Sequence, residues 1–435
     1  MFDFIFKRKG TQRFTQRNAK VLLQLFACLP LVLGILLVRM PSLEYRGLSV
    51  PECQVKKWHL PEALSSNSQE KAPVLIQRLP VTCCQNDRSC VDEALYGAQN
   101  DKKALLTSID RSLRYLQSAR GDDAYKSYPI PRITRDRVYK SLLRFRQLLL
   151  NTNSAAALQT AIAKEFVLYQ SIGKDSKGSV LFTAYYEPLY TASRVPTAEY
   201  RYPVYKAPPD LDSWSLPHPT RLELEGADGL QGEKGKLRGL ELFWFRDRLE
   251  PYMVQIQGSA KLQLTDGTQT SIGYAGNIAY NYKSIGRELA NDGKLPLEGM
   301  TMPVILDYFQ KHPQELNVYI PRDPSFVFFQ ETKGAPAQGS ISQPLTAERS
   351  IATDKSLMPP GALALIRAAF PFPDNSGKLE HRIVSRYVLD QDTGGAIKGP
   401  GRVDYFLGTG KLAGDRAGVT VSNGQLFYLL LKAKN

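Results

Sequence analysis

Histidine is scarce in this sequence. Only His59, His218, His312 and His381 occur among 435 residues, with no H-E-x-x-H and no pair at ligand spacing, so a histidine-bound catalytic metal is not expected. Cysteine stops early: Cys28, Cys53, Cys83, Cys84 and Cys90 all precede residue 91. Cys83-Cys84 followed by Cys90 lacks C-x-x-C spacing, which argues against zinc. The set Cys53, Cys83, Cys84 and Cys90 reads instead as two disulfides of an oxidising compartment, with three pairings left open. A phosphate loop is missing too, because Gly408-Thr409-Gly410-Lys411 has Tyr405 where the motif needs glycine and Leu412 where it needs Ser or Thr. Asp392-Thr393-Gly394 has no second Asp-Thr-Gly or Asp-Ser-Gly, so an aspartic-protease pair would require a dimer. No cofactor and no metal are expected.

Long apolar runs are also absent, with one exception. Val21 to Val38 carries no charge and follows Lys7, Arg8, Lys9, Arg13, Arg17 and Lys20, the pattern of a single membrane crossing with its N-terminus in the cytoplasm and the rest outside. The run ends in Val38-Arg39-Met40-Pro41 without a small-x-small site, which favours an uncleaved anchor over a signal peptide. Secretion, or lipid anchoring after cleavage at Cys28, is the alternative. The net charge is +14, of which residues 1–40 supply +6 through seven Lys/Arg and one Asp. The remaining +8 suits an acidic polymer or anionic lipid; no basic run of nucleic-acid type appears, and no nucleic acid is expected as a partner.

The chain divides into five stretches by pattern. Residues 1–40 form the basic flank and anchor, and 41–90 an aperiodic linker with the cysteine cluster. Residues 91–177 are helical: Leu105, Ile109, Leu113 and Leu116 recur at three or four positions, as do apolar residues in Val138 to Leu150 and Ala155 to Tyr169. Residues 178–345 turn to strand-like alternation in Val180 to Tyr186, Leu240 to Phe245, Tyr252 to Gln257 and Leu262 to Leu264, with a turn at Asp266-Gly267 and an irregular insertion from Pro203 to Gly239. Helices are expected at Tyr282 to Asn291 and Pro303 to Lys311, and a strand at Phe326 to Gln330. Residues 346–435 hold the strands Ala362 to Ala369, Ile383 to Leu389 and Leu426 to Lys432, expected to close into a β-barrel or sandwich. The fold class is therefore mainly β, preceded by a membrane helix and a short helical region.

The densest set of chemical groups is Asp390, Asp392 and Lys398 among glycines, followed by Arg402-Val403-Asp404-Tyr405-Phe406. A strand ending in a glycine-rich loop lets a ligand approach the backbone. Asp404 lies between apolar neighbours, where desolvation raises a carboxyl pKa. Asp392 and Asp404 would equally serve to cap turns through backbone N–H groups.

Seven motifs in one order resemble the membrane-bound lytic murein transglycosylase A family, whose C-terminal module is named for three aspartates. They are Phe182 to Pro188, Gln255 to Ala260, Gly273 to Asn277, Tyr282 to Arg287, Ser325 to Phe329, Arg349 to Asp354 and Asp390 to Phe406, within about Gly178 to Lys432. Ala260 stands where the family often has Gly. The resemblance implies a double-psi β-barrel, a second β-rich domain inserted ahead of it, and a groove between them for peptidoglycan glycan strands. It implies cleavage of the bond between N-acetylmuramic acid and N-acetylglucosamine, with formation of 1,6-anhydro ends in cell-wall turnover. The catalytic aspartate maps onto Asp404 and its companion onto Asp392, with Asp390 and Lys398 in support. Thr183, Tyr185, Tyr186, Gln257, Gly258, Ser259, Tyr274, Lys283, Ser284 and Arg287 fall in motifs that would bind the sugars. A two-carboxylate glycoside hydrolase and a non-catalytic wall-binding module are the competing expectations, and cell-wall synthesis or division proteins are conceivable partners.

Overall fold

The computed structural model describes residues 74–78, 91–96 and 101–433. The expected membrane span Val21 to Val38, all five cysteines and His59 lie outside these residues. Among the described residues no helix is long and apolar enough to cross a membrane.

The chain opens with β1 (Leu75–Arg78), inside the stretch expected to be a linker, and continues through α1 (Lys102–Leu116), α2 (Ala119–Lys126), α3 (Arg135–Asn151) and α4 (Ala155–Glu165). Three of these helices start on hydroxyl caps: Ser118, Thr134 and Ser154 accept from the N–H groups of Gly121, Arg137 and Ala157. The helix expected to run on to Tyr169 stops at Glu165. Phe166, Val167 and Tyr169 belong instead to β2 (Phe166–Ser171), where bulky β-formers gain a partner strand.

Next come β3 (Val180–Glu187), β4 (Leu189–Ala192), β5 (Tyr202–Tyr205), α5 (Arg221–Glu225), β6 (Glu241–Phe245) and α6 (Leu249–Gln257). The helix α6 replaces the strand expected over Tyr252 to Gln257. Pro251 through Gln255 are buried without alternation, Pro251 is tolerated in the first turn, and Gly258 at φ +81° ends the helix in the left-handed region. Then follow β7 (Ser259–Leu264), β8 (Gln269–Asn277), α7 (Ile285–Asn291), α8 (Met302–Lys311), α9 (Leu316–Tyr319) and β9 (Val327–Glu331). The last part comprises β10 (Ser350–Ala352), β11 (Leu363–Pro373), β12 (Leu379–Asp392), β13 (Arg402–Thr409), α10 (Lys411–Gly418) and β14 (Ser422–Leu431).

Six of these strands close a barrel in the order β14-β11-β12-β10-β13-β3, with β3 returning to β14. Two pairs are parallel, β10 with β12 and β13 with β3. The strand β3 thus leaves the β-rich stretch in which its sequence stands and seals the barrel. Phe182, Ile351, Val388, Val403, Tyr405 and Tyr428 fill the interior. On its outside, α1 packs against β12 and α3 against β14. The segment between β3 and β10 forms a separate sheet, β4-β7-β8-β9, with the ribbon β5-β6 beside it. Phe243, Phe245, Leu262, Ile272 and Phe329 make its own core.

Candidate active site

Register places the two aspartates on one row. Asp392 and Asp404 both pair with Ala352, from the strands on either side of β10, and Asp404 pairs onward with Thr183. Residues opposite one another on adjacent strands point to the same side, so the row Asp392, Ala352, Asp404, Thr183 faces one way. Its immediate neighbours Ile351, Val403 and Phe182 fill the barrel interior, and the row therefore faces outward. With two strand spacings between them, the Cα atoms of the aspartates are about 10 Å apart. Ala352, the residue between, leaves only a methyl group there.

Alternation alone would put Asp390 on the face of Asp392. A bulge prevents this: Ile351 pairs with Asp390 and Ala352 with Asp392, which leaves Gln391 as the extra residue. Asp390 consequently turns inward, where it accepts hydrogen bonds from Thr353 Oγ1 at 2.7 Å and Tyr428 OH at 2.6 Å and pairs with Lys355. The Gln391 side chain is tied to α1, accepting from Ser108 at 3.0 Å and donating to Ser112 Oγ at 2.9 Å. Helix α1 thereby fixes the bulge, and the bulge fixes which aspartate faces out.

The two outward carboxyls differ in their surroundings. Asp392 is half-buried and accepts from three donors: Tyr185 OH at 2.7 Å, Ser340 N at 2.9 Å and Thr393 N at 2.9 Å. Burial pushes its carboxyl up, while these bonds and the charge of Lys355 pull the other way. Asp404 is also half-buried but accepts from a single side chain, Thr183 Oγ1, at 2.6 Å. Burial pushes the Asp404 carboxyl above the usual range. The Thr183 bond and Arg402 act against that rise, and the nearby Asp392 adds to it. The acid form of Asp404 is thus more accessible than that of a carboxyl in water, and its other oxygen is free to meet a ligand.

Aromatic and apolar groups wall this spot. The Tyr185 ring packs on Phe406 at 5.2 Å between centroids, and both cluster with Ala337, Leu345, Ala352 and Ile397. The loop of glycines after Asp392 comes close to the inserted segment just ahead of α7, since a Cβ at Gly395 would meet Tyr282 Cβ at 3.9 Å. Asp354 holds the far end of that loop by accepting from Gly399 N at 2.8 Å. Although burial opposes it, the bonds from Ser356 and Gly399 and the charge of Lys398 keep the Asp354 carboxyl below its usual range.

The residues singled out in the sequence do not all meet. Thr183, Tyr185, Asp392 and Asp404 converge. Gln257 is spent in bracing, accepting from the Tyr186 backbone at 3.0 Å, while Gly258 ends α6 and Ser259 is buried at the start of β7. The Tyr186 ring is half-buried and lies over Gly414 of α10. Tyr274 is 51% exposed with its hydroxyl on Asn277. Ser284 caps α7, Lys283 reaches Glu288 at 3.2 Å, and Arg287 is exposed on that helix. Lys398, expected beside Asp404, is exposed and acts on Asp354; the lysine nearest the pair is Lys355. Lys355 directly follows the Arg349 to Asp354 motif, the one sequence signal that could have found it. Glu187 also went unnoticed. It is 2% exposed, accepts from Thr409 Oγ1 at 2.8 Å, and leaves Oε1 without a protein partner.

Comparisons with known proteins cover the same two parts. Residues 181–330 match the MltA specific insert domain and residues 349–430 the 3D domain. The membrane-bound lytic murein transglycosylase A of Escherichia coli (strain K12) is 33% identical over 263 residues, 60% of this chain and 68% of that protein. Its counterpart from Vibrio cholerae serotype O1 is 32% identical over the same shares. Among solved structures, the membrane-bound lytic murein transglycosylase from Agrobacterium tumefaciens aligns with TM-score 0.60 at 26% identity, over 76% of this chain and 93% of that one. The E. coli MltA structure with bound chitohexaose gives TM-score 0.60 at 26% identity, over 79% and 91%. With insert sheet, six-stranded barrel and three-aspartate segment all matched in order, this chain belongs to the membrane-bound lytic murein transglycosylase A family.

Proposed function

We propose that the chain cleaves the β-1,4 bond between N-acetylmuramic acid and N-acetylglucosamine with Asp404 as the single acid and base. The unequal engagement of the two outward aspartates carries this reading. Burial raises both carboxyls, but Asp392 has its oxygens taken by three donors, whereas Asp404 accepts one hydrogen bond. Protonated Asp404 gives its proton to the glycosidic oxygen as the C1–O bond breaks, and the N-acetylglucosamine part leaves with a C4 hydroxyl. The muramoyl oxocarbenium-like or oxazolinium species is then attacked at C1 by its own C6 oxygen, and Asp404 takes the C6 hydroxyl proton. The acid form is restored and no water is consumed. An intramolecular nucleophile brings a large effective molarity, so no second activating carboxylate is needed.

Thr183 tunes Asp404, and Asp392 with Lys355 and Asp390 shapes the field around it. The sugars would lie between the outward barrel face and the inserted sheet, with Tyr186, Tyr274, Lys283 and Arg287 along the approach. The two parallel pairs of the six-stranded barrel fit a double-psi arrangement, and the domain limits 178–345 and 346–435 suit the two matched parts once β3 is assigned to the barrel. Val21 to Val38 would anchor the enzyme with its catalytic part outside the cytoplasmic membrane.

The test is the product. Digestion of purified sacculi in oxygen-18 water should give new ends that are 1,6-anhydromuramic, one water lighter than hydrolytic ends and unlabelled. A hydrolase using Asp392 and Asp404 as a pair fits the 10 Å Cα spacing too, and would place heavy oxygen on new reducing ends. Intact strands with protein bound would indicate a wall-binding module.

A further inference from the structure

Charge is distributed unevenly along the described chain. Residues 101–165, the four-helix layer, hold 13 Lys/Arg against 6 Asp/Glu, whereas residues 166–435 hold 30 against 28. Part of that surplus converges beside Asp392. Arg111 and Arg114 stand three residues apart on α1, on neighbouring positions of one face, and Arg120 lies in the first turn of α2. All three reach the segment Ser340–Thr346. Arg111 Nη1 donates to Leu345 O at 3.0 Å and Thr346 Oγ1 at 2.7 Å, Arg114 Nε to Gln343 Oε1 at 3.3 Å, and Arg120 to Ser340 O at 3.3 Å and to Ser342.

This segment covers Asp392, because Ser340 N donates to its carboxyl at 2.9 Å. Ser340 alone separates the Arg120 guanidinium from that carboxyl, a distance of at most about 10 Å.

Three guanidinium groups gathered on carbonyl and hydroxyl oxygens are an unusual use of arginine, since the nearby acids are committed elsewhere. Asp110 pairs with Arg146, Asp122 with Arg135 and Asp123 with Lys126. Burial and the charge of Arg114 hold Arg111 below its usual range, the mark of a cation beside a like charge without a counter-ion. Each guanidinium has five N–H donors in a planar fork. Arg114 spends one nitrogen and is exposed, so a forked pair of donors faces outward.

We infer that Arg111, Arg114 and Arg120 form a carboxylate-binding edge that holds the acidic peptide carried on the lactyl ether of muramic acid. This rests on the murein reading above. With a muramic residue at Asp404, a peptide of four residues spans about 13 Å, longer than the distance of about 10 Å between the two aspartates, so it passes Asp392 in the direction of the edge. Bidentate arginine suits a carboxylate better than lysine would. The helical layer thus serves the substrate twice, by locking the Gln391 bulge and by reading the peptide.

The experiment compares two substrates from the same sacculi: peptide-bearing glycan strands, and strands stripped of peptide by an amidase. The ratio of kcat/KM on bearing to stripped strands is measured for wild type, Arg114→Gln, Arg114→Lys and the double variant Arg114→Gln/Arg120→Gln. The ratio should fall about 10-fold in Arg114→Gln, the factor for one lost charged hydrogen-bond pair. It should fall further in the double variant and recover only in part with lysine. Adding salt should lower the wild-type ratio toward that of the variants.

An unchanged ratio with both rates reduced would overturn the inference, because it would mean that the arginines only brace the loop. So would unchanged rates on both substrates. A variant that loses binding to vesicles containing anionic phospholipid while keeping the ratio would assign the edge to the membrane instead. Formation of 1,6-anhydro ends from stripped strands by wild type reports on the murein reading separately.

Discussion

Removing the Thr183 hydroxyl should move the pH profile without moving the fold. Thr183→Val keeps a β-branched side chain on β3 but deletes the donor that reaches Asp404 Oδ1 at 2.6 Å. A hydrogen bond to an ionised group contributes about 1.5 to 3 kcal/mol, and discounting this by about a third for a half-buried carboxyl leaves about 1 to 2 kcal/mol. That energy favours the carboxylate, so its loss raises the ratio of acid to carboxylate at a given pH by a factor of about 5 to 30. Catalysis begins from the acid form. The basic limb of kcat/KM should therefore move to higher pH, while the plateau below it drops a few-fold because a weaker acid transfers its proton less readily. Asp392→Asn should do the reverse, since it removes a negative charge that helps to raise Asp404. The assay is the initial rate of 1,6-anhydro muropeptide release across the pH range, with Thr183→Ser as the rescue. A basic limb that stays in place or moves to lower pH in Thr183→Val would refute the assignment of Asp404 as the acid.

Other outcomes follow from the same structure. Asp404→Asn should abolish cleavage while glycan binding persists, with a smaller loss for Asp392→Asn; activity above a tenth of wild type in the first variant would remove Asp404 from its role. Dialysed protein should keep full activity in EDTA, and a loss restored by one added metal would count against the single-carboxyl mechanism. Asp92→Ala leaves Arg349, fully buried and bonded to Asp92 at 2.5 Å, with only Asp101 as a counter-charge, which should cost about 3 kcal/mol in denaturant unfolding. Burial raises the Glu187 carboxyl above its ordinary value. Its proton is therefore held more tightly in the folded state, and stability falls as pH rises from the unfolded value through the raised one. Glu187→Gln should gain stability over wild type at about pH 8 but much less at about pH 4, and equal differences at the two pH values would contradict the sign.

What could be read from the sequence is what depends on local pattern. The apolar neighbours Val403 and Tyr405 of Asp404 were visible in the sequence, and the structure places both on the buried face of β13, opposite to Asp404. Leu105, Ile109, Leu113 and Leu116 marked α1 because helix periodicity needs no partner to be visible. Tyr252 to Gln257 misled because a short helix buried over Pro251 to Gln255 shows no alternating polar face; the glycine at its end was the better sign. Long-range pairing stayed hidden. Nothing near Val180 says that its strand will lie between β13 and β14, more than two hundred residues away.

The split between Asp390 and Asp392 shows why a motif can name a site without giving its geometry. Two aspartates two residues apart on a regular strand share a face, and the sequence places both beside the glycines as equals. One inserted residue reverses this. Gln391 has no signal of its own as a bulge; it becomes one because Ser108 and Ser112 of α1, some 280 positions earlier, satisfy its amide. With its polar atoms bonded, the bulge is held in a single register, Asp390 is committed to Lys355, Thr353 and Tyr428 inside the barrel, and Asp392 is turned out to the row of Asp404. Replacing Gln391 by leucine, close in volume but unable to hydrogen-bond, would leave Ser112 Oγ without its donor and Ser350 Oγ without its acceptor in a buried interface. The register of β12 against β10 would lose its lock, and Asp392 its fixed orientation. Cleavage should fall together with protection of the β12 amides in hydrogen exchange. Lost activity with unchanged protection would mean that Gln391 acts on the site by a route other than the bulge.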